Sequence, residues 1–370
     1  MSPRDPNAYI DALFEPLMTA AGRRPKHRLF TQPIPKDRQK EQFKRFVNLR
    51  VDSSRVVPFP NGGFLAILTE ATNEIVLLCA PSLNDVEKTE LIDWCSSELE
   101  VNEIEFDETM LLVSVKELPN LLRLKSKYRE VELAQDIIGL ADLDDYKGHI
   151  IYDIQSYFND VIAFTLSPDN KFHGQGVSTV SLRLFSAQPN LISPIIESDI
   201  GDKIVSLQGK CGCDDSNLFQ SLTASQWRYV YLDLYRCMES LFHFPWMQKL
   251  KSEMNLTVGF AELRDTCRSS LEWNSKEDKS IRKLFEFVDG PDLDSAKSKV
   301  SLFSNINAAT ATPGAYAKKV YEARNMLVHY EDRSRSDILP PSANEYKELC
   351  IFLCELLTIF DDRYRLDYLT

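Results

Sequence analysis

The spacing of apolar and polar positions changes character near residue 210. From about residue 50 to 209 it switches repeatedly between strand and helix periods, and from about 218 onward it is helical throughout. In the first stretch, residues 63–68 and 74–79 are short β-rich runs on either side of a polar turn, which predicts a hairpin. Residues 82–98 then place Val86, Leu91, Ile92 and Cys95 at helical spacing behind Ser82 and Asn84, either of which suits an N-cap. The order repeats, with strands over 104–106 and 110–115 and a helix over 117–129. Further strands are predicted at 150–154, 161–166 and 178–185. The expected arrangement is a mixed α/β domain over 51–210, with small antiparallel sheets covered by helices on one face. Residues 209–217 hold Gly209, Gly212 and a polar cluster, the pattern of a linker.

Beyond it, Thr223-Ala224-Ser225-Gln226 has the form of a capping box. Trp227, Val230, Tyr231, Leu234, Met238, Leu241 and Phe242 then share one helix face until Pro245 ends or bends it. Helices are predicted over 258–273 and 279–288. Thr312-Pro313 is an N-cap and first-turn pair that opens a helix through His329, and Ser342 to Glu345 open a last one to Phe360. Five helices in this stretch predict an up-and-down bundle over 218–370. The fold class expected from the pattern is therefore α+β, a mixed α/β domain followed by an all-α bundle.

Composition narrows the function. The chain has 370 residues, 44% hydrophobic and 26% charged, which suits a folded protein rather than a disordered one. No run of about 18–20 apolar residues is present, and residues 1–22 lack the basic, apolar and small-residue regions of a signal peptide, so no membrane contact and a cytoplasmic location are expected. The eight cysteines are then read as reduced thiols. Cys211-x-Cys213 has no second ligand pair nearby, Asp142, Asp144 and Asp145 lack the glycine and terminal glutamate of a calcium loop, and Gly174-Gln175-Gly176 is too short for a dinucleotide fingerprint. No metal and no cofactor are expected.

Net charge is −12, yet residues 21–50 carry an excess of eight positive charges, which leaves −20 on the rest. Residues 1–50 are accordingly expected as a basic N-terminal arm, with Arg23, Arg24, Lys26, Arg28, Lys40, Lys44 and Arg45 as candidate RNA-binding cations. The plainer reading of the same charges is a solvated helix and arm.

Inside the fourth predicted helix of the bundle stands Tyr321-Glu322-Ala323-Arg324-Asn325-Met326-Leu327-Val328-His329-Tyr330, in which four residues separate Arg324 from His329. Arg236 and His243, separated by six residues, fit the same loose expression, but only Arg324 is followed by Asn on a Pro-capped helix late in a helical run. The sequence over about 218–360 resembles the HEPN-family ribonucleases, helical bundles with an R-x(4-6)-H motif in which a polar residue, often Asn, follows the Arg. Glu239 resembles the acidic position on the first helix of such bundles.

The resemblance implies a metal-independent endoribonuclease, a toxin-like effector of bacterial antiviral (abortive infection) defence, with RNA as substrate. It also implies a homodimer through the bundle, in which two motifs meet. Arg324 and His329 would be catalytic with Asn325 beside them, supported by Glu239 and Tyr330. The residue chemistry fits independently. An imidazole titrating near pH 6.5 exchanges protons with a ribose 2′-hydroxyl and a departing 5′-oxygen, and a guanidinium fork stabilises charge building on the phosphate.

At 100° per residue, Tyr316, Val320, Ala323, Leu327 and Tyr330 form the stripe expected to face the core. Asn325 and His329 stack on nearly the opposite side, and Arg324 lies at the stripe's edge, about 140° from His329. The N-terminal domain resembles no named family and is assigned a sensor or regulatory role, taking an activating ligand or partner protein. The alternative is a non-catalytic, HEPN-like dimerisation and protein-interaction module, in which Arg324 and His329 only end a helix and pair with nearby carboxylates such as Glu322.

Overall fold

The computed structural model describes residues 4–32, 36–118, 120–127, 130–271, 276–307, 311–328 and 340–369. The chain divides into two compact units, Met1–Leu191 and Ile192–Thr370. The fold is α+β: the first unit holds one five-stranded antiparallel sheet with helices, and the described elements of the second are all helical. The glycine-rich stretch 209–217, expected as a linker, lies inside the second unit. No helix among the described residues is long and apolar enough to cross a membrane.

In the first unit, β1 (Leu49–Pro58), β2 (Phe64–Glu70), β3 (Asn73–Cys79), β4 (Asn102–Ile104) and β5 (Val161–Leu166) are arranged in the order β1-β2-β3-β5-β4. The expected hairpin is β2–β3, paired from Phe64↔Cys79 to Glu70↔Asn73. One sheet face presents Phe64, Ala66, Leu68, Ile75, Leu77 and Cys79 to a core that takes in Leu13, Phe14 and Leu17 of helix α1 (Pro6–Ala21). The other face carries Val76, Leu78 and Phe164 toward Cys95 of α3 (Asp85–Glu98), with Val180 and Leu184 beyond it. Both faces are therefore covered, where one was expected. That is why β2 and β3 read as continuous apolar runs, with Leu65, Leu68, Leu77 and Leu78 fully buried. Each such side chain contributes about 1.5–3 kcal/mol.

Three predicted strands are helices. Residues 110–115 belong to α4 (Glu108–Glu117), which starts where the Asp107 carboxylate accepts from the amide of Met110. After α4, residues 120–127, expected as helix, form turns and a single bridge, Leu124↔Phe158. A helical run over 130–141 joins α5 (Glu130–Leu133), a π turn and α6 (Gly139–Ala141). Residues 150–154 fall largely in α7 (Ile151–Gln155), and 178–185 in α8 (Val177–Ala187). In α8, Val177, Val180, Ser181 and Leu184 form a buried helical face, while Leu182 and Phe185 are buried beside it. A short run buried on most sides satisfies both periods, so spacing alone misassigns it.

The expected basic arm is also part of this unit. Its α1 packs against α4, and α2 (Lys36–Asn48) runs into β1 and packs on α4 as well.

The second unit contains α9 (Ser198–Val205), α10 (Asp215–Thr223), α11 (Trp227–Glu239), α12 (Phe244–Met254), α13 (Phe260–Leu271), α14 (Glu277–Phe287), α15 (Pro291–Lys297), α16 (Pro313–Val328) and α17 (Ala343–Leu369). The described residues thus hold more helices than the five expected. Short α9, α10 and α15 offer too few turns for a clear period. Thr223 closes α10 rather than opening α11, which begins at Gln226 without a side-chain cap. Pro245 opens α12 from its first turn. The 27-residue α17 is the central strut, packed on α11, α13 and α15, and it buries Leu349, Leu353, Leu356, Leu357 and Phe360. Its start is a reciprocal cap: Ser342 and Glu345 exchange side-chain and amide hydrogen bonds at 3.2 and 2.7 Å.

Candidate active site

Three helices converge on Arg324. α16 packs on α14 and touches α11, which places the arginine beside Glu239, the last residue of α11, and Glu277, the first of α14. The turn before Arg324 is fixed by two buried tyrosines. Tyr231 of α11 donates its hydroxyl to the carbonyl of Val320 at 2.6 Å, and Tyr346 of α17 donates to that of Ala323 at 3.4 Å. Val320, Ala323 and Ala317 are the buried residues of α16, while Tyr316 and Leu327 of the expected stripe are only half-buried.

The Arg324 side chain is 19% exposed. Its Nη2 lies 3.6 Å from Glu239 Oε1 and its Nε 3.5 Å from Glu277 Oε1. These are ion-pair distances, longer than the 2.7–2.9 Å typical of a charge-assisted hydrogen bond. Its hydrogen bond is from Nη1 to Oδ1 of the adjacent Asn325 at 3.1 Å, and Nε is buried without a hydrogen-bond partner among the described residues. The guanidinium also sits 5.9 Å from the centroid of the Tyr235 ring, whose hydroxyl donates to Glu277 at 2.9 Å.

Burial pushes the Glu239 carboxyl above the ordinary glutamate range, and the nearby Glu277 carboxylate pushes the same way, against the lowering pull of Arg324. Burial, with Tyr231 and Glu277 beside it, likewise raises the Tyr235 phenol. The cluster therefore joins a cation with unspent donors to a carboxyl biased toward holding a proton.

The structure brings together three of the residues singled out from the sequence, Arg324, Asn325 and Glu239. His329 and Tyr330 lie outside the described residues. Glu277 and Tyr235 were missed. Glu277 stands at a helix start far along the chain from both Glu239 and Arg324, and no spacing rule links such positions. Tyr235 shares the core face of α11 with Tyr231 and had no signal to distinguish it.

The second Arg–His pair is placed differently. Arg236 bonds Asp233 at 2.7 Å, and burial raises Asp233 to about 6 despite that arginine. His243 faces Arg268 at 3.2 Å. Burial first, then Arg268 and Arg264, lower its pKa, which favours the neutral ring.

Four of the seven candidate RNA-binding cations are paired in place. Arg23 pairs with Asp142 at 2.8 Å, Lys26 with Asp144 at 2.5 Å and Arg28 with Asp11 at 2.7 Å. Arg45 pairs with both Asp107 at 2.6 Å and Glu70 at 2.9 Å. Arg24 and Lys44 are exposed and make no ion pair among the described residues, and the side chain of Lys40 is outside them. Part of the strip's excess of positive charge is thus met in space, by Asp11 nearby and by Glu70, Asp107, Asp142 and Asp144 farther along the chain. Two of these are Asp142 and Asp144 of the turn tested above as a calcium loop.

No protein-family model, no characterised protein and no solved structure matches the chain.

Proposed function

We propose that the second unit is a metal-independent endoribonuclease of HEPN type, working as a homodimer in which two motifs face each other. The observation that supports this most is the setting of Arg324, a largely buried guanidinium whose donors are not consumed by the carboxylates around it. An arginine of this kind accepts a phosphodiester by exchanging loose ion pairs for forked hydrogen bonds.

In the proposed reaction, a neutral His329 imidazole takes the proton of a ribose 2′-hydroxyl. The 2′-oxygen attacks the adjacent phosphorus, the bond to the 5′-oxygen breaks, and a protonated imidazole of the second copy returns a proton to that oxygen. Arg324 holds the negative charge that builds on the non-bridging oxygens. Asn325 keeps the guanidinium directed, and Glu239 sets the charge and proton balance beside it. The half-buried Met326 and the exposed Val328 on the same helix suit a second apolar packing face between copies.

The test is incubation of the purified full chain with total RNA, with and without EDTA, beside Arg324→Ala and His329→Ala. Chelator-resistant cleavage that leaves 2′,3′-cyclic phosphate and 5′-hydroxyl ends, lost in both variants, supports the reading. EDTA-sensitive activity or 5′-phosphate ends refute it. The setting of bacterial antiviral defence, with cleavage toxic to the cell, belongs to the same proposal. The second reading, a non-catalytic dimerising bundle, takes the Arg324 contacts with Glu239 and Glu277 as purely structural. It requires that Arg324→Ala weaken the fold while the wild-type chain cleaves nothing.

A further inference from the structure

On the outer face of the first unit's sheet, α3 and α8 lie side by side and leave a cleft of about 590 Å³ between them, closed at one end by the loop that leads into α8. That is within the usual range for a small-molecule site.

The two walls differ in chemistry. On α3, Trp94 and Glu98 are one turn apart and face the cleft together, and Phe172 of the loop adds a second half-buried aromatic ring. On α8, Thr179 and Arg183 are likewise one turn apart, and Lys171 of the loop joins them. Arg183 is exposed and makes no ion pair or side-chain hydrogen bond among the described residues. In the same unit Arg4, Arg23, Arg28, Arg45 and Arg55 each pair with a carboxylate, while Arg24, like Arg183, does not. Lys171 is only loosely held, 4.0 Å from Glu100 and 5.2 Å from the centroid of the Phe172 ring.

We propose that this cleft binds a nucleoside phosphate. The base lies against Trp94 and Phe172, the ribose hydroxyls donate to the Glu98 carboxylate, and the phosphate is taken by Arg183 and Lys171. Each wall supplies what one half of such a ligand requires: aromatic surface and a hydrogen-bond acceptor on one side, cations on the other. A purely apolar ligand would leave Arg183 and Lys171 unused, and a simple anion would leave Trp94 and Phe172 unused. The inference is independent of the role given to Arg324, because every residue it uses lies in the first unit.

Isothermal titration of the full chain with ATP and with AMP, beside adenosine and inorganic triphosphate, tests the proposal. ATP or AMP should bind at concentrations below ~1 mM. Adenosine and triphosphate should each bind at least about tenfold more weakly than the nucleotide that joins them. Arg183→Ala and Trp94→Ala should each weaken nucleotide binding about tenfold or more. The exposed Arg183 should be replaceable without change in melting temperature, and Glu98→Gln provides a conservative probe of the other wall if Trp94→Ala unfolds the unit. No heat from either nucleotide at ~1 mM would overturn the proposal, as would binding that Arg183→Ala and Glu98→Gln leave unchanged.

Discussion

Arg45 in the first unit and Arg324 in the second are alike on paper. Both are largely buried, at 22% and 19% side-chain exposure, and each stands between two carboxylates. The Nε of each is buried without a hydrogen bond among the described residues, and it is the terminal nitrogens that separate them. Arg45 donates from Nη1 to Asp107 at 2.6 Å and from Nη2 to Glu70 at 3.0 Å, which ties α2 to the start of α4 and the end of β2. Arg324 makes no such bond to Glu239 or Glu277, and it is the adjacent Asn325 that accepts from it. A guanidinium whose donors are spent on carboxylates is a fastening, whereas one that only sits near them retains the capacity to bind an anion. Charge count alone does not distinguish the two, and the sequence marked both for RNA, Arg45 through its basic neighbours and Arg324 through its spacing to His329.

The sharpest way to break the comparison is to remove each arginine and measure both activity and stability. Under the proposed mechanism, Arg324→Ala should lower RNA cleavage by about 10²–10³, the usual loss for one donor to developing charge. Arg324→Lys should recover little of it, because the planar fork is lost. Arg45→Ala should leave the rate per folded molecule unchanged but destabilise the first unit by roughly 2 kcal/mol, since it strands Asp107 and Glu70; chemical denaturation reads this directly. Comparable destabilisation by Arg324→Ala, with cleavage intact, would make both arginines fastenings.

A smaller effect tests the carboxyl beside Arg324. The Glu239 pKa is raised in the folded chain, so its contribution to stability is present below the ordinary glutamate pKa and is lost as pH rises through the folded value. Glu239→Gln keeps a side chain that donates to Glu277 but carries no charge. It should therefore melt higher than wild type at pH ~8, with the difference closing toward pH ~4, where the native carboxyl is protonated in both states. Melting curves across that window that run parallel would show that the Glu239 carboxyl is not raised in the folded chain.

Smaller still is the expected effect at the second Arg–His pair. The His243 ring is biased to the neutral form and faces Arg264 and Arg268, so His243→Ala should leave cleavage within about twofold of wild type. Loss of cleavage in that variant, with retention in His329→Ala, would transfer the site to Arg236 and His243. Least of all, the exposed pair of Lys26 and Asp144 should contribute no more than about 0.5 kcal/mol, so Lys26→Ala should scarcely move the melting temperature.

The sequence pattern was most legible where a polar turn or an explicit cap marks the end of an element. The β2–β3 hairpin, the Asn84-capped α3, α16 from Pro313 and the Ser342–Glu345 start of α17 all lie where local chemistry put them. It failed for α4 and α8, whose short runs are buried on several sides and so lose the one-sided stripe that marks a helix. The candidate site shows the same division. Arg324, Asn325 and Glu239 carry local or family signals, whereas Glu277 and Tyr235 carry none.

What the sequence determined by itself is the local part of this protein: which polar turns and caps end a segment, and which arginine has a polar neighbour beside it; the change from mixed to helical, expected near residue 210, falls instead at the boundary between Leu191 and Ile192. The tertiary structure decided the non-local part. It closed the basic segment onto Asp11, Asp107, Asp142 and Asp144, covered both faces of the sheet, and set two carboxylates near Arg324 without bonding them to it. The reason is physical. Propensity and capping act over a few residues of chain, while the worth of a charge depends on distance, desolvation and hydrogen-bond direction, all of which are fixed only when distant segments pack.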